Sequence, residues 1–155
     1  MRPNQWLVLA GFVALCLAVA AFGGWITAAS VVDWYPTLNK PEWNPPSWIF
    51  GPVWTTLYIM MAVAAWLVWK QGAGTGFALG LFFAQLALNS LWSILFFGAR
   101  SPALALLDIA ALWVALALTI HAFFKRSKPA GWLLIPYIAW VSFAAVLNFR
   151  IWQLN

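Results

Sequence analysis

Long apolar runs with very few charged residues constrain this sequence more than any other feature. Five such runs occupy most of the 155 residues, and short segments rich in proline, glycine or basic residues separate them. A helix needs about 20 apolar residues to cross the hydrocarbon core of a bilayer. Charged residues make up only 7% of the chain, against about 25% in soluble proteins. The sequence therefore predicts an all-α membrane protein, a bundle of five transmembrane helices.

The breaks between the runs set the predicted boundaries of a single transmembrane domain over residues 1–155. We expect helices at about 6–30, 47–69, 77–98, 102–124 and 130–151. Pro136 lies inside the fifth run and should kink it, because proline removes one backbone hydrogen bond. The first run also resembles a cleavable signal peptide. It continues to Val32, however, which is longer than the apolar part of such a peptide and favours a spanning helix.

The basic residues are distributed unequally between the two predicted membrane faces. Five lie with the N-terminus and three on the other face: Arg2, Lys70, Lys125, Arg126 and Lys128 on the first, and Lys40, Arg100 and Arg150 on the second. Positive charge is enriched on the cytoplasmic side, so we expect the N-terminus inside and the C-terminus and first loop outside. Because these residues flank apolar spans, they do not indicate a nucleic-acid partner.

The segment from Trp34 to Tyr58 differs from the rest because prolines and aromatic residues alternate in it. It reads WYPTLNKPEWNPPSWIFGPVWTTLY. Each proline fixes its own φ and holds the residue before it extended, which predicts a stiff, aromatic loop between helices 1 and 2. Trp54 and Tyr58 are four residues apart, so they share one face of the helix that follows.

This segment closely resembles the signature of the TspO/MBR family, the tryptophan-rich sensory proteins related to the mitochondrial translocator protein or peripheral-type benzodiazepine receptor. Two further blocks match in the same order: residues 85–92 with 96–98, and Pro136, Tyr137 and Trp140 followed by Leu147 and Asn148. The resemblance implies a membrane receptor with a ligand pocket between its helices, capped by the first loop. We expect it in a bacterial cell membrane.

Two helices carry stripes of polar and aromatic residues at helical spacing. Gln85, Asn89, Trp92 and Phe96 share a face of the third helix, and Tyr137, Trp140, Ala144, Leu147 and Asn148 share a face of the fifth. From spacing alone, ordinary packing and hydrogen bonds between helices explain these stripes at least as well as a ligand cage. The resemblance implies that they line the pocket. The predicted ligand-binding residues are Trp34, Trp43, Trp54, Tyr58, Asn89, Trp92, Tyr137, Trp140, Ala144 and Leu147.

An aromatic-lined cavity suits a flat apolar ligand, which stacks on the rings and is oriented by Asn and Trp N–H groups. The resemblance implies porphyrins and related tetrapyrroles as ligands. It also implies an alternative, light-dependent porphyrin degradation, with Trp54 and Trp140 as candidate residues. A tetrapyrrole or sterol transporter is a third hypothesis, although no internal repeat supports it and Phe149 replaces the tyrosine of a cholesterol-recognition pattern. No catalytic set or metal cluster is evident, so we favour a receptor without metal or cofactor.

Two isolated titratable residues allow more than one interpretation. Asp108 is an intramembrane carboxyl, and such a group either serves function or is a packing residue that is protonated or bonded to a Trp N–H. His121 lies one helical turn before Lys125, which places it at the interface, and it has no positioned partner for haem ligation.

Small residues recur on the side of the third helix opposite its polar stripe: Gly76, Gly80, Ala84 and Ala87. Faces of this kind let two transmembrane helices approach closely. They could pack against other helices of the same chain. Because the resemblance implies pairing, we predict instead a homodimer through this face, within the lipid bilayer.

Overall fold

The computed structural model describes residues 3–155, so Arg2, which entered the orientation argument, lies outside the described residues. Five long helices follow one another: α1 Gln5–Asp33, α2 Phe50–Trp69, α3 Gly76–Ser93, α4 Pro102–Arg126 and α5 Lys128–Leu154. Short 3-10 turns at Tyr35–Thr37 and Ser47–Ile49 lie between α1 and α2. With their flanking turns, all five are long and apolar enough to cross a membrane. The predicted five-helix membrane fold is confirmed.

The helix boundaries follow from local sequence signals. The Ser101 side chain accepts a hydrogen bond from the backbone N–H of Leu104 at 3.2 Å, and Pro102 occupies the first turn of α4. Ser127 alone separates α4 from α5 and caps the second of them through the N–H of Ala130 at 3.4 Å. Pro136 lies within α5, which runs as one helix from Lys128 to Leu154.

The end of α3 changes its winding. Residues Ile94–Gly98 form a π-helical turn, in which the Ala99 N–H donates to the Ile94 carbonyl at 2.7 Å. The Ser30 hydroxyl of α1 donates to the Phe97 carbonyl in this turn at 2.6 Å. The extra residue in a π turn brings neighbouring side chains towards the same side, a feature common at functional sites.

Helices α2 to α5 form the tightly packed part of the bundle, and α1 is attached more loosely. The largest buried side chains, including Tyr137, Phe82, Phe123 and Met61, lie among α2, α3, α4 and α5. In α1 only Phe12, Cys16 and Ser30 are buried. Helices in lipid associate through close contact and not through a hydrophobic drive, so a loosely packed α1 leaves space beside it.

The loop between α1 and α2 is held by its own polar contacts. The buried Tyr35 hydroxyl donates to Asn44 Oδ1 at 2.9 Å. Lys40 Nζ donates to the Tyr35 and Leu38 carbonyls at 2.9 and 3.0 Å and lies 4.9 Å from the Tyr35 ring centre. Burial raises the pKa of the Tyr35 hydroxyl above its usual 10.0, against the opposing effect of the Asn44 hydrogen bond, so the group keeps its donor proton.

Candidate ligand-binding site

A cavity of about 380 Å³ lies beneath the loop, between α1, α2, α3 and α5. Small-molecule sites typically enclose about 300–1,000 Å³. Seven of the residues predicted from the sequence line it: Trp54, Tyr58, Asn89, Trp92, Trp140, Ala144 and Leu147. Helices α2, α3 and α5 supply these side chains, so they are distant in sequence and only folding brings them together.

Aromatic rings form most of the cavity wall. Trp54 packs against Tyr58 with ring centres 5.7 Å apart, and Phe50 meets Trp140 edge to face at 5.9 Å. On α3, Trp92 stacks on Phe96 at 4.9 Å with 20° between the planes. These neighbours hold the rings in fixed orientations, so the wall offers flat apolar surfaces to a ligand without reorganisation.

A chain of hydrogen bonds forms the floor of the cavity. The Tyr58 hydroxyl donates to Asn89 Oδ1 at 2.9 Å, and Asn89 Nδ2 donates to the Tyr137 hydroxyl at 2.6 Å. The Tyr137 hydroxyl then donates to Gln85 Oε1 at 2.8 Å. Gln85 and Tyr137 are fully buried beneath the cavity. Gln85 and Tyr137 therefore form hydrogen bonds between helices, which was the alternative to a ligand-binding role. These bonds fix α2, α3 and α5 relative to one another.

Two indole N–H groups differ in what they bond. Trp92 Nε1 donates to Asn148 Oδ1 at 3.0 Å, and Asn148 Nδ2 donates to the Pro102 carbonyl at 2.9 Å. Trp140 Nε1 is buried without a hydrogen-bond partner among residues 3–155. A buried unpaired donor is costly. The Trp140 ring itself lines the cavity.

The other three predicted ligand-binding residues border the cavity without lining it. Trp34 packs edge to face on Phe96 and Phe97, with ring centres 5.7 and 6.4 Å away. Trp43 is 46% exposed in the loop, 5.8 Å from the Phe143 ring. Tyr137 lies beneath the floor. Trp34 thus supports the π turn, Trp43 the loop and Tyr137 the polar floor.

The sequence reasoning did not find the contribution of α1. One wall of the cavity consists of small and short side chains from this helix: Ala20, Gly23, Gly24, Thr27, Ala28 and Val31. Their recurrence every three or four positions is the signal that could have revealed this face. Because these side chains are small, they leave the space between α1 and the aromatic wall unfilled.

The small-residue face of α3 points away from the rest of the chain. Gly76, Gly80, Ala84 and Ala87 are all exposed, and a Cβ atom added at either glycine would meet nothing within 4 Å among the described residues. Packing against other helices of the same chain, the alternative raised from the sequence, therefore does not occur at this face. The cavity lies on the opposite side of α3.

Two titratable residues lie apart from the cavity. Asp108 is 6% exposed in α4, and neither carboxyl oxygen has a hydrogen-bond partner among residues 3–155, so the expected bond from a Trp N–H is not formed. His121 is exposed near the end of α4, one turn before Lys125, as its sequence position predicts.

Comparison with known proteins places these features in a family. The model of the TspO/MBR family matches residues 12–153. Tryptophan-rich protein TspO of Chlorobaculum tepidum is 49% identical, covering 98% of this chain and 98% of that protein. The tryptophan-rich sensory protein of Cereibacter sphaeroides is 42% identical over 97% and 93% of the two chains. The translocator protein of Bos taurus is 40% identical over 100% and 94%.

Proposed function

The chain belongs to the TspO/MBR family of multi-pass integral membrane proteins, and from this premise we propose that it is a receptor for porphyrin-type or similar flat apolar molecules. The observation that carries the proposal is the aromatic cavity of about 380 Å³ beneath the first loop. Relatives are named as sensory and translocator proteins. These names agree with a role in sensing or moving a small molecule.

The chemistry of the cavity favours a flat π-system with a few acceptor groups. Trp54, Trp92 and Trp140 expose ring surfaces on three helices, and such surfaces bind flat ligands by offset stacking or edge contacts. Most polar groups nearby already bond to one another, whereas Trp140 Nε1 has no partner among the described residues. A tetrapyrrole fits both features, because it combines a wide aromatic ring with peripheral acceptor oxygens.

The proposal is tested by quenching of tryptophan fluorescence with protoporphyrin. Trp140→Phe keeps an aromatic ring but removes the free N–H, so we expect about tenfold weaker binding, the value of one hydrogen bond from an otherwise unpaired buried donor. Trp132→Phe is the matched control, because Trp132 is 65% exposed and packs on Phe124, away from the cavity. Equal affinity in wild type and both variants would contradict the proposed binding mode, in which the Trp140 N–H donates to the ligand.

Light-dependent porphyrin degradation is a second candidate function. Trp54 and Trp140 both line the cavity, so a ligand excited there lies beside two oxidisable indoles. Aerobic incubation with protoporphyrin in the light and in the dark separates the two functions. Loss of porphyrin absorption that needs both light and the folded protein indicates degradation, and unchanged absorption leaves a receptor.

We also propose that the N-terminus is cytoplasmic and that the capping loop faces outside. The turns after α2 and α4 lie on the N-terminal face and hold Lys70, Lys125, Arg126 and Lys128. Accessibility of engineered cysteines at Ala73 and Glu42 to an impermeant thiol reagent in intact cells tests the orientation. We expect labelling at Glu42 only, and the reverse pattern means the opposite orientation.

A further inference from the structure

A second cavity, of about 340 Å³, lies at the other membrane face, between the start of α3 and the end of α4. Its apolar wall includes Phe77, Leu81 and Leu118, and its rim carries the three basic side chains of His121, Lys125 and Arg126. Phe77 and Leu118 are 77% and 52% exposed on the surface that faces lipid. The cavity therefore joins a positively charged rim to an apolar groove open to the bilayer.

The Arg126 guanidinium lies next to the α2–α3 turn, at the edge of this cavity. Gly74 has φ of +82°, and a Cβ atom there would lie 3.1 and 3.2 Å from Nη2 and Nη1 of Arg126. A side chain at position 74 would thus be strained and would crowd the guanidinium. Glycine lets the turn pass close to the charged group.

The basic rim has no carboxylate of its own chain to pair with. The sequence holds three acidic residues, Asp33, Glu42 and Asp108. Asp33 pairs with Arg100 at 2.9 Å, Glu42 lies in the capping loop, and Asp108 follows the start of α4; all three belong to the half of the bundle nearer the capping loop. A counter-charge for the rim must come from outside the protein.

We propose that this cavity binds an anionic phospholipid of the surrounding bilayer. Its phosphate lies between Lys125 and Arg126, and an acyl chain follows the groove of Phe77, Leu81 and Leu118. Basic pockets between transmembrane helices suit anionic lipid headgroups, and the arginine fork matches phosphate oxygens. A free phosphate ion would neutralise the basic rim but leave the apolar groove exposed. The basic rim and the apolar groove together therefore favour a lipid.

Native mass spectrometry of protein released from nanodiscs containing equal amounts of phosphatidylglycerol and phosphatidylcholine tests the proposal. We expect wild type to retain one phosphatidylglycerol molecule preferentially. Lys125→Gln with Arg126→Gln should weaken retention about fivefold per charge removed, or about 25-fold in all. The control, Lys70→Gln with Lys128→Gln, removes the same charge outside the cavity; Lys70 lies over the Trp66 ring at 4.3 Å. Retention in this control should equal wild type.

A third variant separates the lipid from a simple anion. Ala122→Phe fills the apolar part of the cavity while leaving all basic groups in place, and we expect it to lose the retained phosphatidylglycerol. The proposal would be overturned if the two double variants lost phosphatidylglycerol equally, or if wild type retained phosphatidylcholine as strongly as phosphatidylglycerol. Unchanged retention in Ala122→Phe, or displacement of the lipid by inorganic phosphate, would overturn it as well. Near-ultraviolet circular dichroism, which the 13 tryptophans dominate, verifies folding of each variant.

Discussion

Ala144 shows how one small side chain sets the space available to a ligand. It lies on α5 one turn after Trp140 and lines the cavity wall. A larger residue at this point would project into the cavity and reduce the space left for a ligand. A substitution of Ala144 should therefore change ligand affinity more than it changes the stability of the fold.

We predict that Ala144→Thr weakens protoporphyrin binding by about 1–3 kcal/mol, because the added methyl and hydroxyl overpack the occupied cavity. The melting temperature of the unliganded protein should change little. Fluorescence quenching and thermal unfolding measure the two effects. Ala139→Thr is the matched control, since Ala139 is exposed on the same helix away from the cavity. Unchanged affinity in Ala144→Thr would place the bound molecule elsewhere.

At the scale of elements, the capping loop is fastened to the end of α5. The Asn39 backbone N–H donates to Asn155 Oδ1 at 3.1 Å, and Asn155 Nδ2 donates to the Asn39 carbonyl at 2.9 Å. Asn39 Nδ2 also donates to the Leu154 carbonyl at 3.2 Å. This reciprocal pair joins the first loop to the helix that carries Trp140 and Ala144, so opening of the loop requires these bonds to break.

We predict that Asn155→Ala loosens the loop without unfolding the bundle. Each hydrogen bond contributes about 0.5–1.5 kcal/mol net, so loss of the bonds from one side chain should speed loop opening several-fold. Hydrogen exchange at the Asn39 amide, which Asn155 protects directly, provides the measurement, and protoporphyrin should dissociate faster as well. Gln153→Ala removes a neighbouring exposed amide that bonds Arg150 and serves as control. Unaltered exchange in Asn155→Ala would mean that Tyr35, Asn44 and Lys40 hold the loop by themselves.

The elements themselves follow from local sequence, and this explains which predictions succeeded. Apolar runs, the Ser101–Pro102 cap, the break at Lys70 and the basic residues and proline at 125–129 act within a few residues, so the five helices could be recognised directly. The family could also be recognised, because its motifs are short and contiguous. The wall supplied by α1 and the π turn at Ile94–Gly98 depend on packing between distant segments, which single-helix periodicity does not contain.

The π turn also explains why periodicity captured only part of the site. At 100° per residue, Phe96 falls on the stripe of Asn89 and Trp92, whereas Phe97 is turned away from it. The wider turn brings both phenylalanines to the cavity, and Trp34 packs against both of them. Trp34 and Trp43 are consequently supports of the wall in this structure, and their part in ligand binding stays a prediction.

At the scale of the whole molecule, the exposed small-residue face of α3 determines how the bundle can associate. This face extends along about 16 Å of helix, at 1.5 Å per residue, and consists of Gly76, Gly80, Ala84 and Ala87. No other segment among residues 3–155 covers it. Lipid chains pack poorly against a shallow helix surface of this kind, whereas a second helix can approach it closely and gain van der Waals contact. We propose that two copies of the chain pair through this face.

The dimer is tested by replacing Gly80 and Ala84 together with leucine, which fills the shallow surface and keeps two helices apart. We predict that the double variant is monomeric by light scattering in detergent while wild type is dimeric. Protoporphyrin binding should persist, because the cavity lies on the opposite side of α3. Ala110→Leu with Val114→Leu adds comparable bulk to an exposed face of α4 and should leave the dimer intact. If the double variant remained dimeric, the interface would lie on another face, because leucine at positions 80 and 84 prevents the close approach of two helix backbones.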